Sequence, residues 1–439
     1  MINPLFNKIR KQGFWTLDSL KGGQVRKNYR EIKQIQEDYF SPVSQKLREK
    51  YLYNLLQHTI RTVPYYKDIP LSSRLQDFPV ISKTEIQKDL GRFTSSKFDI
   101  KKSFKVATSG STGVPFILYQ NKGKKIRNTA DTLYFLASGN YEIGEKLYDL
   151  EVWRQIGMSS PFITRMKNLE YVDITQFTDK AITDFLQTLK AVSQPQHLIG
   201  FVTAFEQICK YLDTVNSKPL QTSVISIFTI SEYLSAESKN KIQYYFQVPV
   251  VSRYSSEEVG ILAQQEPVYE KSDFKLNLAS YHFEILDLQE DKPVAPGTLG
   301  RVVITDYFNY CMPLIRYDTG DIASFSNNVH TKLPSFSHIE GRKMDLIYTT
   351  CGDLISSFIV YTKFHKYYSL LHQYQFIQQS AKTYVVKLNC KTEFPYEEEL
   401  ISSIKKDFGL DATVLIEYVK EIPALSSGKR KKVVSLLSS

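Results

Sequence analysis

The stretch Thr108-Ser-Gly-Ser-Thr-Gly-Val-Pro115 combines hydroxyl side chains with two glycines in a single loop. Strand-forming residues flank it in segments 104–107 and 116–120, which predicts an exposed turn between two strands. Gly110 and Gly113 permit positive φ, so backbone N–H groups can converge on an anion, and the hydroxyls add further donors. The stretch therefore predicts a phosphate-binding loop, and a plain polar hairpin turn is the alternative.

This loop differs from the common nucleotide motifs. No Gly-Lys-Ser/Thr follows it, which excludes a Walker A loop, and no Gly-x-Gly-x-x-Gly indicates a dinucleotide fold. The residues assigned to phosphate binding are Thr108, Ser109, Gly110, Ser111, Thr112 and Gly113.

The length and composition fit a globular protein. The chain has 439 residues, of which 42% are hydrophobic, enough for one large core and a smaller second domain. No apolar run reaches the roughly 18 residues of a membrane helix, and charged residues interrupt the first twenty, where a signal peptide would lie. These features predict a cytoplasmic protein without a transmembrane segment.

The segment Phe6–Leu20 carries Phe14, Trp15 and several basic residues. Such a segment is compatible with peripheral contact to a membrane surface. A terminal helix packed on the body of the protein is the favoured interpretation.

The net charge is compatible with several kinds of anionic partner and does not distinguish among them. A net charge of +10 suits anionic ligands such as nucleotides, CoA or anionic surfaces. The basic run Lys429-Arg-Lys-Lys432 has no nucleic-acid-binding signature beside it, so no nucleic-acid partner is predicted. The scattered cysteines predict reduced, mostly buried thiols and no transition metal; they are Cys209, Cys311, Cys351 and Cys390.

Hydrophobic periodicity predicts an α/β fold, since amphipathic helices alternate with apolar strands. Helices are expected over 83–89, 123–139 and 179–193, a strand running into a helix over 197–205, strands over 223–230 and 248–254, and an antiparallel pair over 283–288 and 300–306. Farther on, strands over 384–389 and 413–419 flank a helix over 396–408.

Four more stretches follow the loop: Tyr254-Ser-Ser-Glu-Glu-Val-Gly260, Arg316-Tyr-Asp-Thr-Gly-Asp321, Gly341-Arg-Lys-Met-Asp345 and Pro423-Ala-Leu-Ser-Ser-Gly-Lys429. In this order they resemble the AMP-forming acyl-CoA synthetase (adenylate-forming) superfamily, and within it the phenylacetate-CoA ligase branch and its CapK-type members of capsular polysaccharide biosynthesis. The segments 63–66, 78–83 and 312–317 extend the resemblance over nearly the whole chain.

The resemblance implies a large, multi-sheet N-terminal domain over residues 1–342 and a small, mobile α+β domain over 343–439. The hinge is expected at Gly341-Arg342. Met344 stands where the family commonly has the first acid of a pair, which puts the usual hinge residue in doubt.

Two adjacent carboxylates, Glu257 and Glu258, end a predicted strand and are compatible with a hard cation; surface acids are the alternative. The resemblance assigns Glu258 to Mg and Tyr254 to stacking on adenine. Ser255 replaces a glycine that is usual in the family.

Other nucleotide contacts are also implied by the resemblance. Ser231 and Glu232 are expected near the nucleotide, and a helix N-cap with Glu232 in the first turn is equally compatible. Asp321 is assigned to ribose and Arg342 to a second contact with ribose or phosphate, while Asp318 is expected to be structural.

The family reaction joins a carboxylate to the α-phosphate of ATP, releases pyrophosphate and passes the acyl group to a thiol, usually that of CoA. Lys429 matches the family lysine of Pro-x-x-x-Ser-Gly-Lys, a cation that offsets the repulsion between carboxylate and phosphate. The implied cofactors are ATP, Mg and CoA, and the implied substrate is a small carboxylic acid or a glycan-linked acid.

Two alternatives stay open: an adenylyl- or acyltransferase that uses no CoA, and a degenerate adenylate-binding scaffold. The scaffold is suggested by Phe116, where many members have lysine, and by Ser255 and Met344. The acid pocket is expected between about Tyr134 and Phe205 and near Ser256, with Trp153, Arg154 and Met158 as candidates.

Overall fold

The structure is a computed structural model. It describes residues 4–107, 116–152, 161–175, 177–270, 272–327, 333–342, 347–355, 360, 363–364, 367, 370–390, 393–423 and 431–437. The chain forms two compact units. The first comprises Met1–Leu234, Ser238–Thr319 and Ala323–His338, and the second comprises Ile339–Ser439 with the short pieces Ser235–Glu237 and Gly320–Ile322.

The first unit contains helices on both sides of a large sheet. They are α1 (Pro4–Leu20), α2 (Gln24–Glu37), α3 (Pro42–Thr62), α4 (Lys83–Lys88), α5 (Lys122–Ser138), α6 (Pro161–Lys167), α7 (Asp179–Ala191), α8 (Val202–Thr214) and α9 (Ala236–Phe246). Short 3-10 turns occur at Pro64–Tyr66, Leu75–Asp77 and Ile100–Lys102.

The strands that build the large sheet and a separate hairpin follow in chain order. They are β1 (Ile81–Ser82), β2 (Phe104–Ala107), β3 (Ile117–Gln120), β4 (Lys146–Glu151), β5 (Leu169–Asp173), β6 (Gln196–Phe201), β7 (Val224–Ile230), β8 (Val250–Ser256), β9 (Gly260–Gln264), β10 (Phe274–Leu276), β11 (Tyr281–Leu286), β12 (Gly300–Asp306), β13 (Tyr317–Phe325) and β14 (Ser335–Arg342).

The large sheet has the order β11-β12-β13-β14-β10-β9-β8-β7-β6-β4-β5, with β1 paired to β13. Strands β5, β4, β6, β7 and β8 run parallel, and β8 turns back into the antiparallel β9. One face of the parallel half is covered by α7, α8 and α9, whose apolar residues form a common core with the strands. The carboxyl ends of the parallel strands therefore meet at one edge, where open α/β sheets bind ligands.

The strands β2 and β3 pair antiparallel, with Phe104 opposite Gln120 and Ala107 opposite Ile117. They flank the loop at 108–115, which lies outside the described residues. The two predicted flanking strands are thus confirmed.

The second unit contains a short pair, β15 (Ile347–Tyr348) with β16 (Leu354–Ile355), and a four-stranded sheet. The sheet has the order β19-β18-β17-β20 and is formed by β17 (Leu371–Gln378), β18 (Thr383–Cys390), β19 (Thr413–Tyr418) and β20 (Val433–Ser435). The helix α10 (Glu397–Phe408) buries Leu400, Ile404 and Phe408 in the core of this unit.

The predicted α/β class is confirmed, as is the α+β character of the C-terminal region. The helices and strands expected from periodicity are present, with ends shifted by a few residues. The two units divide after His338, while the domain boundary at 342/343 stays a prediction. The described residues include no helix long and apolar enough to cross a membrane.

The expectation of mostly buried thiols is only half right. Cys209 and Cys311 are buried, but Cys390 is half-buried and Cys351 is exposed. Cys351 lies in the turn between β15 and β16, next to Gly352, whose φ is 90°. A tight turn at the surface has no core beside it that could bury the thiol of Cys351. The local sequence did not show that Cys351 lies in such a turn, so its exposure was not predicted.

Several charged side chains of α5 are buried in the protein. The ammonium of Lys124 is 2.7 Å from the Asp306 carboxylate, and both side chains are fully buried. Arg127 is equally buried and donates to the carbonyl of Ala279. Burial raises the pKa of Asp131, which accepts a hydrogen bond from a serine hydroxyl. Each of these charges requires its partner, because an unpaired buried charge is strongly destabilising.

We predict that Lys124→Met lowers the free energy of unfolding by about 3–5 kcal/mol, because Asp306 is left buried and unpaired. Chemical denaturation followed by far-UV circular dichroism measures the change. The matched control is Lys122→Met at an exposed position of the same helix, which should change stability by less than about 0.5 kcal/mol. The double variant Lys124→Met/Asp306→Leu should recover much of the loss, and equal destabilisation by the double variant contradicts the ion-pair explanation.

Candidate functional site

Glu258 lies in the tight turn that joins β8 to β9. The turn ends at Gly260, whose φ of 107° is in the left-handed region that glycine tolerates. Of the two adjacent acids, Glu257 is exposed, whereas Glu258 is 8% exposed. Tyr317, at the start of β13, donates a hydrogen bond to Glu258 Oε1 at 3.2 Å. The turn therefore separates a solvated acid from one that points into the protein.

Two buried side chains bind the backbone of this turn. The amide of Gln120 donates to the carbonyl of Glu258 at 3.0 Å, and the hydroxyl of Tyr281 donates to the carbonyl of Val259. The same Tyr281 hydroxyl accepts a hydrogen bond from the ammonium of Lys124 at 2.9 Å. Because buried carbonyls need donors, these contacts determine where Glu258 sits.

Gln120 is the last residue of β3, the strand that leaves the predicted phosphate loop. Immediately before this strand, Phe116 is fully buried, and its ring stacks on Tyr317 with an interplanar angle of 10° and a centroid distance of 6.4 Å. The ammonium of Lys83 lies 5.4 Å from the centre of the Phe116 ring. The strand beside the loop is thus attached at both ends to the Glu258 turn and its hydrogen-bond partner.

The motif at 316–321 is held by structural ion pairs. Arg316 pairs with Glu284 at 3.0 Å and has a left-handed φ of 48°, and Arg301 pairs with Asp318 at 3.0 Å. The pairing agrees with the expectation that Asp318 is structural.

Tyr254 links this motif to the Glu258 turn. Its hydroxyl donates to Thr319 Oγ1 at 3.4 Å, and its ring is half-buried at the carboxyl end of β8. Asp321, the residue assigned to ribose, lies farther along β13 and is half-buried. Two motifs far apart in sequence therefore meet through Tyr254–Thr319 and through the Tyr317–Glu258 hydrogen bond.

Ser231 and Glu232 follow β7 at the carboxyl edge of the parallel strands. Ser231 has a left-handed φ of 67°. The Glu232 carboxylate accepts from the backbone N–H of Thr203 at 2.8 Å and from the Thr203 hydroxyl at 3.3 Å. Glu232 thereby caps α8, whose own N-cap residue, Phe201, has no side-chain acceptor. The alternative that Glu232 belongs to the first turn of its own helix is wrong, because α9 begins only at Ala236.

A charged group occupies the other face of the parallel strands. Tyr148 and Leu150 of β4 face the helices, so Asp149 and Glu151 lie on the opposite face, as does Arg253 of β8. Burial lowers the pKa of Arg253 to about 10, and burial together with the Glu151 charge raises the pKa of Asp149 well above its usual value. This charged group was not predicted from the sequence. Alternation of residues within a strand indicates which side chains share a face, but not what covers that face.

Ser256, expected near the acid pocket, ends β8. Its hydroxyl oxygen is buried and has no hydrogen-bond partner among the described residues.

Several predicted residues lie outside the described residues. These are the phosphate-loop residues Thr108, Ser109, Gly110, Ser111, Thr112 and Gly113, the pocket candidates Trp153, Arg154 and Met158, the hinge residue Met344 and the lysine Lys429. Arg342 ends β14, but its side chain is not described.

The donor set around Glu258 fits a magnesium ion. Tyr317 donates to Oε1, and among the described residues no hydrogen bond to Oε2 is found. Mg²⁺ is usually held by one or two carboxylates together with substrate phosphates and water, so a single oriented carboxylate from the protein is sufficient. Within the described part of the chain, no group of three or more His, Cys, Asp or Glu residues forms a metal site by itself.

Sequence reasoning missed the supporting residues Gln120 and Tyr281, and it recognised Lys124 only as a lysine near the loop in sequence. Tyr317 was within reach, since it belongs to the quoted motif at 316–321. For Gln120 the only available signal was a polar residue at the end of a strand that leaves the predicted loop.

Comparison with known proteins agrees with this architecture. Residues 347–435 match the protein family described as CapK C-terminal domain. Over 441 aligned residues the chain is 22% identical to Protein CapK of Staphylococcus aureus, and the alignment covers 95% of this chain and 94% of that protein.

Solved structures show the same fold. One is 2-hydroxyisobutyryl-CoA ligase in the postadenylation state in complex with R3-HIB-AMP, with a TM-score of 0.71, 13% identity and 90% of each chain covered. Another is ATP-bound MatB from Rhodopseudomonas palustris, with a TM-score of 0.56, 12% identity, and coverage of 77% of this chain and 68% of that one.

The fold is therefore shared with these ligase structures, and together with the CapK matches it confirms the predicted resemblance to the adenylate-forming superfamily. The resemblance to the CapK type is confirmed as well, since residues 347–435 match the CapK C-terminal domain and nearly the whole chain is similar to CapK.

We predict that Glu232→Ala lowers the free energy of unfolding by about 0.5–2 kcal/mol, because the N-terminus of α8 loses its cap. Urea denaturation measures the difference. Glu257→Ala, which removes an exposed acid, should change stability by less than about 0.5 kcal/mol. Unchanged stability of Glu232→Ala contradicts the capping role.

Proposed function

We propose that the protein is an ATP-dependent, AMP-forming ligase similar to phenylacetate-CoA ligases. It adenylates a carboxylic acid and passes the acyl group to CoA or to another acceptor. The weak sequence similarity to CapK supports a place in capsular or exopolysaccharide biosynthesis. The proposed compartment is the cytoplasm, where ATP and CoA are available.

The observation that carries the proposal is the attachment of the β2–β3 hairpin to the Glu258 turn. Gln120 and Phe116, on the strand that leaves the loop, contact the Glu258 carbonyl and Tyr317. A loop that holds phosphates and a carboxylate that holds their metal must keep a constant separation. These contacts supply that constraint. A plain polar hairpin turn, the alternative interpretation of the loop, would not need such a constraint.

The residues then have separate roles in the first step. Backbone N–H groups and hydroxyls of Thr108–Gly113 bind the β- and γ-phosphates, while Tyr254, Asp321 and Arg342 bind adenine and ribose. Glu258 would hold Mg²⁺, which would supply positive charge to the phosphate oxygens. Tyr317 donates the hydrogen bond that orients this carboxylate.

Lys429 has the remaining role. The attacking carboxylate and the α-phosphate are both anions, and a cation between them lowers the barrier for the carboxylate oxygen to form its bond to phosphorus. The carboxylate supplies the electron pair, and the bond from the α-phosphorus to the bridging oxygen breaks, so pyrophosphate leaves and an acyl-adenylate remains. Water must be excluded from this mixed anhydride until the second acceptor arrives.

We predict that Lys429→Ala lowers the rate of acid-dependent pyrophosphate release by about 10²–10³-fold, while ATP binding is retained. Lys431→Ala, two positions farther along the same basic run, is the control and should keep most of the rate. A Lys429→Ala variant with the wild-type rate would remove this lysine from the mechanism.

We further predict that Tyr317→Phe raises the Mg²⁺ concentration for half-maximal rate by about 10–100-fold, since the orienting hydrogen bond to Glu258 is lost. The loss of this bond should lower the free energy of unfolding by only about 0.5–1.5 kcal/mol. Tyr245→Phe removes a tyrosine hydroxyl that bonds Asp213 instead and should leave the Mg²⁺ requirement unchanged. An unaltered Mg²⁺ requirement in Tyr317→Phe excludes the proposed positioning of Glu258.

The experiment that tests the whole proposal is pyrophosphate release with a panel of aryl, short acyl and sugar acids, each with and without CoA. Acid-dependent release that CoA stimulates supports the CoA ligase. Release without any CoA effect favours the adenylyl- or acyltransferase. Silence across the panel with ATP still bound favours a macromolecular substrate or the scaffold, and the absence of both release and ATP binding rejects the proposal.

A further inference from the structure

The helix α1 presents an apolar strip to solvent. Phe6, Ile9, Leu17 and Leu20 recur at helical spacing and lie on one face. Their exposed fractions are 52%, 52%, 39% and 79%, in that order. An apolar row at the same spacing on α7 is at most 7% exposed. The strip is thus an amphipathic face without a covering element among the described residues.

The strip is held in place because the opposite side of α1 is anchored. The Asp18 carboxylate accepts hydrogen bonds from the backbone N–H groups of Val25 and Arg26 at the start of α2, and the Trp15 ring contacts Tyr29 of α2 edge-on at 5.9 Å. Near the other end of α1, a Cβ at Gly144 would come within 2.6 Å of the helix backbone. One side of α1 therefore packs against the rest of the protein, which was the interpretation favoured from the sequence. The other side, which bears the apolar strip, faces outward.

The segment that forms α1 and the start of α2 carries an excess of positive charge. Among residues 4–30 the cationic side chains number seven and the acidic ones number one, the buried Asp18. At the carboxyl end of α1, beside Ser19, an open depression of about 520 Å³ is lined by the exposed cations Arg26, Lys27 and Arg30. Its one acidic lining residue, Glu31, pairs with Arg127. More than half of the net charge of +10 thus lies in this short region.

We propose that the face of α1 that bears Phe6, Ile9, Leu17 and Leu20, together with the cations of α2, is a docking surface for an anionic lipid bilayer. The helix α1 lies in the plane of the interface with the strip inserted among the acyl chains. The cations of α2, which packs against the other side of α1, attract the anionic headgroups electrostatically. Amphipathic helices with apolar and basic faces bind membranes in this way. The charge selects a bilayer over a second copy of the chain, since two copies would bring like charges together.

The test is flotation of the full-length protein with vesicles of phosphatidylcholine alone or mixed with phosphatidylglycerol. We predict binding to the mixed vesicles that weakens at high ionic strength, and little binding to phosphatidylcholine alone. Phe6→Ser/Leu20→Ser should lower the partition coefficient by about tenfold or more. Val215→Ser/Leu410→Ser removes side chains of similar exposure elsewhere and is the matched control, with unchanged partition.

A second pair of variants tests the contribution of the positive charges. Arg26→Gln/Arg30→Gln should lower binding to anionic vesicles by about fivefold per cation, whereas Lys88→Gln/Lys218→Gln, an equal change of net charge at exposed positions, should not. Failure to bind anionic vesicles, or equal losses in the control variants, overturns the proposal. The proposal is also overturned if the wild-type protein is a dimer that Phe6→Ser/Leu20→Ser converts to a monomer while vesicle binding stays unchanged. The strip is then an interface between copies of the chain.

Discussion

The hydrogen bonds from Gln120 and Tyr281 to the carbonyls of the β8–β9 turn are the constraint on which the candidate site depends. A buried carbonyl without a donor costs about 1–3 kcal/mol, so the turn is stable in this position only while both side chains are present. Gln120 comes from a position 138 residues earlier in the chain, beside the predicted phosphate loop. The contact that stabilises the turn therefore also sets the position of β3, the strand that follows the predicted loop, relative to Glu258.

Buried charge supports this arrangement. Lys124 bonds Tyr281 and pairs with Asp306, and Arg316 pairs with Glu284 just before the strand that carries Tyr317. Burying such charges is costly, and replacing them with apolar residues would often be neutral or stabilising. The charged groups fix the orientation of neighbouring side chains, because hydrogen bonds are directional and apolar contacts are not. The side chains around Glu258 are thereby held in defined orientations before any ligand binds, as preorganised catalysis requires.

The helices α1 and α7 show how one pattern leads to two outcomes. Both carry apolar residues at helical spacing, yet α7 buries its row under the sheet and α1 leaves its row outside. The composition around the rows differs, since basic residues crowd α1. An adenylate-forming enzyme whose helix rests on a bilayer would act close to substrates that are themselves held at the membrane surface.

Local pattern in the sequence determined the class of fold and most of its elements. The helix α10 and strands β18 and β19 were predictable because hydrophobic periodicity is a property of neighbouring residues, and the ordered motifs identified the superfamily. The burial of Lys124, the capping of α8 by Glu232, the Tyr317–Glu258 hydrogen bond and the exposure of the α1 strip were not predictable. Each depends on partners, or on their absence among the described residues, that are distant in sequence. Only the tertiary structure decides which side chains meet, because that depends on how the whole chain packs.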